Sequence, residues 1–203
     1  MFPLALLNKS EQGLTTVLNL EFNGADGSTI IDSTGRHTPS LSVSGTRAIL
    51  SNQLNLASNG FIRADAQNTA NADFDFTSCD FEIECKVTKP AVSSDYIWCH
   101  TANDSDSGLL LRFINNTLIR LDIPSYSLIF SYTAPTSFVG RQTKIKVARV
   151  AGIYTLYVDD ILVATNVGIG LGNIGSNGLV IGNLPSHVGL NGQIDDFIVR
   201  RTF

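Results

Sequence analysis

Charge is what this sequence has least of. Only 16% of its 203 residues are Asp, Glu, Lys or Arg, against about 25% in an ordinary soluble domain. The 14 Lys and Arg fall short of the 18 Asp and Glu, giving a net charge of -4. No basic excess is left to neutralise a run of phosphates, which argues against nucleic acid as a partner. Cysteine is scarce too: Cys79, Cys85 and Cys99 form an odd set without C-x-x-C spacing, so neither a disulfide framework nor a zinc knuckle is expected. No apolar run approaches the roughly 18 residues of a membrane span. The apolar start Met1-Phe-Pro-Leu-Ala-Leu-Leu7 has no basic flank and meets Asn8 and Lys9 too soon for a secretory signal. The expectation is a chain without signal peptide or membrane segment, made in a reducing compartment. Amphipathic helices are missing as well, since no stretch repeats its apolar residues at a 3.6-residue period.

In place of charge stand Ser, Thr and Asn, about a quarter of the chain, and 17 Gly, residues that favour turns and strand faces over helix interiors. Period-two alternation recurs from end to end. Its clearest case is Asp80-Phe-Glu-Ile-Glu-Cys-Lys-Val-Thr88, which sends Phe81, Ile83, Cys85 and Val87 to one face and Asp80, Glu82, Glu84 and Lys86 to the other. Similar strands are expected at 17–22, 54–56, 61–63, 96–100, 109–113, 118–123, 128–132, 144–150, 154–164, 179–181 and 193–200. Ala151-Gly152, Asp159-Asp160 and Asn191-Gly192 supply hairpin turns. A dozen short strands without a linker indicate an all-β sandwich. The chain divides into an N-terminal extension, 1–13, and a sandwich domain, 14–203. In the extension, Phe2, Leu4, Leu6 and Leu7 have nothing local to pack against and either fold back on the sandwich or dock on a partner.

The run Leu54-Asn-Leu-Ala-Ser-Asn-Gly-Phe-Ile62, followed by Ala72-Asp-Phe-Asp-Phe-Thr-Ser-Cys-Asp-Phe-Glu-Ile-Glu-Cys-Lys-Val87, resembles the laminin-G-like type of concanavalin A-like jelly roll. Leu20-Glu-Phe-Asn-Gly-Ala-Asp-Gly27 with Ile31-Asp-Ser-Thr-Gly35, Ile153-Tyr-Thr-Leu-Tyr-Val-Asp-Asp-Ile-Leu-Val-Ala164 and Gly192-Gln-Ile-Asp-Asp-Phe-Ile-Val199 are similar to the same family's opening, late hairpin and closing strand, in the family's order. The resemblance implies a jelly-roll β-sandwich of two antiparallel sheets. Two positions depart from it: Asp160 stands where Gly is usual, which its tolerance of left-handed angles permits, and Cys85 stands where an aromatic is common, with Trp98 expected to compensate.

Fold implies function weakly, because this sandwich hosts lectins, glycan hydrolases, adhesion modules and structural parts alike. The compact variety resembles jelly rolls of bacteriophage tail and virion proteins. That implies a non-enzymatic virion structural or decoration protein, assembled in the host cytoplasm as a symmetric or multi-copy array with other virion proteins and docked through Phe2, Leu4, Leu6 and Leu7. The alternative is a carbohydrate-binding adhesin module of a tail fibre or tail tip that recognises surface glycans. Tyr126, Tyr132 and Trp98 are its candidate stacking platforms, Trp98 being read first as a core residue, which leaves Tyr126 or Tyr132 on the loop side.

The family also sometimes holds one structural Ca²⁺, for which Asp26, Asp32 and Asp195 or Asp196 are the matching oxygen donors. Asp104-x-Asp106-x-Gly108 opens like a calcium loop but lacks its closing Glu. A glucanase would need Glu-x-Asp-x-x-Glu, and Asp80-x-Glu82-x-Glu84 misses that spacing. The match of Gly170 to Gly175 to G-x-G-x-x-G precedes a strand rather than the helix a dinucleotide needs. His37, His100 and His187 have no partner at ligand spacing. Contacts are expected on the uncharged faces, and Asp80, Glu82, Glu84, Lys144 and Lys146 are expected to mark faces left in water.

Overall fold

The computed structural model describes residues 13–41, 46–57, 60–65, 71–90, 95–101, 108–123, 127–167, 178–182 and 190–203. Among them the chain forms two antiparallel sheets. The first contains β1 (Thr15–Leu20), β3 (Thr46–Leu50), β4 (Gln53–Ala57), β6 (Phe81–Thr88), β11 (Gln142–Val150), β12 (Ile153–Val158), β13 (Ile161–Val167) and β15 (Gly192–Arg201). The second contains β2 (Ser40–Leu41), β5 (Ile62–Arg63), β7 (Asp95–Thr101), β8 (Leu110–Phe113), β9 (Leu118–Ile123), β10 (Ser127–Thr133) and β14 (Gly178–Ile181). Strand order is β13-β12-β11-β6-β15-β4-β3 in the first, with β1 also paired to β15, and β10-β9-β8-β7-β14-β5-β2 in the second. This is the two-sheet jelly-roll sandwich that the alternation indicates. No helix among the described residues is long and apolar enough to cross a membrane.

β6 sits at the middle of the first sheet, between β11 and β15. Its Phe81, Ile83, Cys85 and Val87 are buried in the core with Val147, Ile145, Val199 and Ile194 from those neighbours. Burying four such side chains contributes roughly 1.5–3 kcal/mol each, enough to fix the register that turns Glu82, Glu84 and Lys86 outward. Two of the three expected hairpin turns form, at Ala151-Gly152 between β11 and β12 and at Asp159-Asp160 between β12 and β13. At Asn191-Gly192 there is none, because Gly192 already belongs to β15, paired with Leu56 of β4, while β14 lies in the other sheet. Asp159 and Asp160 both adopt positive φ, 50° and 64°, so Asp160 accepts the left-handed backbone that such a hairpin turn requires.

Trp98 lies in the core at 0% exposure, and the three thiols are free and buried. Burial pushes the Cys85 thiol well above its ordinary range, so it is an inert core residue. The second sheet holds His100 inward against Phe76, ring centroids 4.9 Å apart. Gly108 is required beside it, because a Cβ there would stand 1.5 Å from the His100 carbonyl oxygen. At the open edge of the sandwich β13 carries exposed Ile161, Leu162 and Val167. It is tied to β10 by the Asn166 side-chain amide, which donates to the Ile129 carbonyl.

Candidate functional site

The outward residues of β6, β11, β15 and β1 form a depression of about 530 Å³ on the first sheet, lined by Leu14, Thr16, Glu82, Glu84, Lys144, Lys146, Asp160 and Arg200. Its floor follows from register. Ala148 and Arg200 flank Glu82, and Lys146 and Ile198 flank Glu84, while Thr16 lies beyond Arg200. Cross-strand neighbours of opposite charge stabilise such a face. Here they interlock: Arg200 Nη1 donates to Glu82 Oε1, Lys146 Nζ stands 3.5 Å from Glu82 Oε2, and Lys144 Nζ lies 3.5 Å from Glu84 Oε1 and 2.8 Å from Asp160 Oδ1. Lys146 also rests 4.6 Å from the centroid of the Tyr157 ring, a cation–π contact that fixes its ammonium. The Lys144 ammonium holds the Asp160 carboxyl below the usual carboxylate range, and the same contact raises Lys144.

Glu82 corrects one expectation. It is only 5% exposed, roofed by Arg200 and Lys146 instead of left in water, because register sets Arg200 of β15 directly across from it and Lys146 of β11 diagonally across on the same face, where both make charge-assisted contacts with its carboxylate. The depression therefore opens in the charged face, not on an uncharged one. Its pairs join residues as far apart in the chain as Glu82 and Arg200, which no local motif discloses. The alternation of Glu82 and Glu84 with Lys144 and Lys146 was the available signal.

The aromatic platforms fare unequally. Trp98 has no exposed face and cannot stack on a sugar, since the bulge between Tyr96 and Trp98 aims its indole inward against the core. Tyr132 is partly buried against the core. Tyr126 lies outside the described residues, as do Phe2, Leu4, Leu6, Leu7, His187 and the segments around Asp104 and Gly170.

The four aspartates matched to a calcium site have other work. Asp32 is buried. Its Oδ1 accepts from the Asn19 and Thr34 N–H groups at 2.9 and 3.1 Å, and its Oδ2 from the Thr34 hydroxyl and the Arg36 and His37 N–H groups at 2.6, 3.1 and 3.0 Å. Burial alone would raise its pKa, but these hydrogen bonds outweigh it and leave the group below the usual range. Asp26 accepts from the Ser51 N–H, Asp196 pairs with Lys86, and Asp195 accepts from the Asp196 N–H. Among the described residues no three His, Cys, Asp or Glu side chains converge as a metal site requires. Stripping the protein with a chelator is expected to leave its melting transition unchanged; a rise on adding back Ca²⁺ would overturn this.

The fold and this face define a class: a jelly-roll sandwich domain with a polar depression on one sheet. No protein-family profile matches the chain, and no curated protein matches it. Among solved structures the chain is similar to domain 4 of AbnA, an extracellular arabinanase from Geobacillus stearothermophilus, seen in complex with arabinotriose. That likeness has a TM-score of 0.67 and 13% identity, and covers 94% of both chains. The chain is also similar to the binding domain of botulinum neurotoxin DC in complex with rat synaptotagmin II, with a TM-score of 0.66, 16% identity, and 91% of this chain against 47% of that one. The receptor-binding domain of botulinum neurotoxin D gives a TM-score of 0.63 and 14% identity, with 91% and 48% covered. This chain thus spans about half the length of the neurotoxin chains it matches. At these identities the likeness is one of fold.

Proposed function

We propose that this chain is a non-enzymatic carbohydrate-binding module, an adhesin domain whose glycan sits in the depression over β6 and β11. The observation that carries this reading is the interlocked set of carboxylates and ammonium groups lining about 530 Å³, a size ordinary for a small-ligand site. Sugar hydroxyls both donate and accept, so they can replace water at a carboxylate and at its neighbouring ammonium together. The sugar-bound arabinanase domain, alike in fold over nearly its whole length, supports the reading by analogy only.

Hydrolysis is not part of it. Glu82 and Glu84 are alternate residues of one strand, roughly 7 Å apart by strand geometry, yet both are engaged with cations. Neither stands in the apolar pocket that keeps a general acid protonated. A glycan array probed with the wild-type chain tests binding. Discrete hits are expected, lost on Thr16→Trp, which fills the depression from β1, while melting is unchanged. A blank array at high protein concentration would reject the reading.

A second reading is favoured by the apolar segment Met1 to Leu7 and the polar stretch Asn8 to Gly13 that follows it: the module is a bacteriophage virion or decoration protein, held on other virion subunits by Phe2, Leu4, Leu6 and Leu7. The two readings are compatible, one naming the anchor and the other the ligand. Deleting residues 1–12 is expected to abolish incorporation into particles while the sandwich still melts cooperatively.

A further inference from the structure

Resting on the carbohydrate reading of the β6 depression, we infer that its ligand is a neutral, polyhydroxylated saccharide and not a sialylated, uronated or sulfated one. The depression is lined by three cations, Lys144, Lys146 and Arg200, and three carboxylates, Glu82, Glu84 and Asp160. Their formal charges cancel, and every one is engaged: Arg200 and Lys146 with Glu82, and Lys144 with both Glu84 and Asp160. Just beyond, Lys86 is committed to Asp196, so the rim adds no surplus cation.

An acidic sugar would need a cation released from its carboxylate. Glu82, 5% exposed and held from two sides, cannot swing into water, so displacing it would strand a carboxylate without solvent or partner, the costliest outcome for a buried charge. Asp160 repels an incoming anion at the rim. Neutral hydroxyls meet no such obstacle. The Lys144 ammonium stands 2.8 Å from Asp160 and 3.5 Å from Glu84, separations that suit adjacent ring hydroxyls donating to these two carboxylates and accepting from the ammonium while the pairs stay intact. Specificity then comes from the penalty on the wrong ligand as much as from attraction to the right one.

The test titrates the full chain with neutral oligosaccharides and with sialylated, uronated and sulfated ones, at low and high salt. Neutral ligands are expected to bind with affinities that change less than about twofold between roughly 0.05 and 0.5 M salt, because no net charge is being screened. Acidic ligands are expected to bind at least about tenfold more weakly. Glu84→Gln, which leaves Lys144 paired to Asp160 and the fold intact by melting, is expected to weaken neutral ligands about fivefold and to narrow the discrimination against acidic ones. Acidic glycans preferred by the wild type, with binding that collapses in salt, would overturn the inference and leave the carbohydrate reading standing. Neutral binding untouched by Glu84→Gln would overturn it by placing the ligand elsewhere. No binding to any saccharide would overturn both.

Discussion

Replacing Lys89 by Met is expected to cost about 3–5 kcal/mol of folding stability, the usual result of stripping one partner from a buried ion pair. Lys89 follows directly on β6, and its ammonium is sealed at 0% exposure against Asp95, itself at 1%, at the start of β7. The ammonium also lies 5.2 Å from the centroid of Phe113, and the Lys89 carbonyl accepts from the Gly140 N–H. Met fills the space of the Lys stem but leaves the Asp95 carboxylate in the interior without its cation. At roughly 2–4 °C per kcal/mol for a chain of this size, the melting point should fall by about 10 °C. The double variant Lys89→Met, Asp95→Leu removes both charges and is expected to recover most of the loss. Urea denaturation of the three proteins is the measurement; a single variant within about 1 kcal/mol of wild type would show that the pair is not closed to water. Because the pair joins the end of β6 to the opposite sheet, it also holds the strand whose outward Glu82 and Glu84 form the depression, so stability and binding should fall together.

How far the sequence discloses this arrangement depends on the range of the interactions. β6 and the hairpins at Ala151-Gly152 and Asp159-Asp160 are legible because alternation and turn chemistry are local, and the burial of Phe81, Ile83, Cys85 and Val87 follows from parity alone. β2 and β3 were not anticipated: two residues, Ser40–Leu41, and five, Thr46–Leu50, carry too little alternation to show a period. The depression was legible only in part. Parity puts Glu82, Glu84, Lys144 and Lys146 on outward faces, but their mutual approach requires β6, β11 and β15 to lie side by side, with β11 and β15 far from β6 in the chain. The bonds made by Asp32 were hidden for a related reason. An acidic loop position suits a metal ligand or a loop cap equally well in sequence, and only the fold shows it accepting from the N–H groups of Asn19, Thr34, Arg36 and His37. Trp98 is a matter of register: one bulge decides whether an indole faces sugar or core.

Acid is expected to destabilise the protein in two stages, the first belonging to His100. Burial pushes its pKa down from 6.5 to about 4, so the imidazole stays neutral inside the second sheet against Phe76. Above pH 6.5 the folded and unfolded chains both carry it neutral, and nothing is at stake. As pH falls from 6.5 towards 4, the unfolded chain takes up a proton that the folded one refuses, and stability drops by about 3 kcal/mol in all, a shift of one unit being about 1.4 kcal/mol. The second stage comes from Asp32 and Asp73. Asp73 is held below the usual range chiefly by the Arg36 guanidinium, and Asp32 by the hydrogen bonds that outweigh its burial. Their contribution is present above the ordinary carboxylate value of 3.8 and is lost only as pH falls through their lower folded values. His100→Leu separates the stages: it removes the titrating group while keeping an apolar side chain against Phe76. Urea midpoints of this variant should stay flat between pH 6.5 and 4, where the wild type declines, and then fall with it at lower pH. Parallel profiles for the two proteins down to pH 4 would mean that His100 is not the group responsible, and that the core around Phe76 admits water.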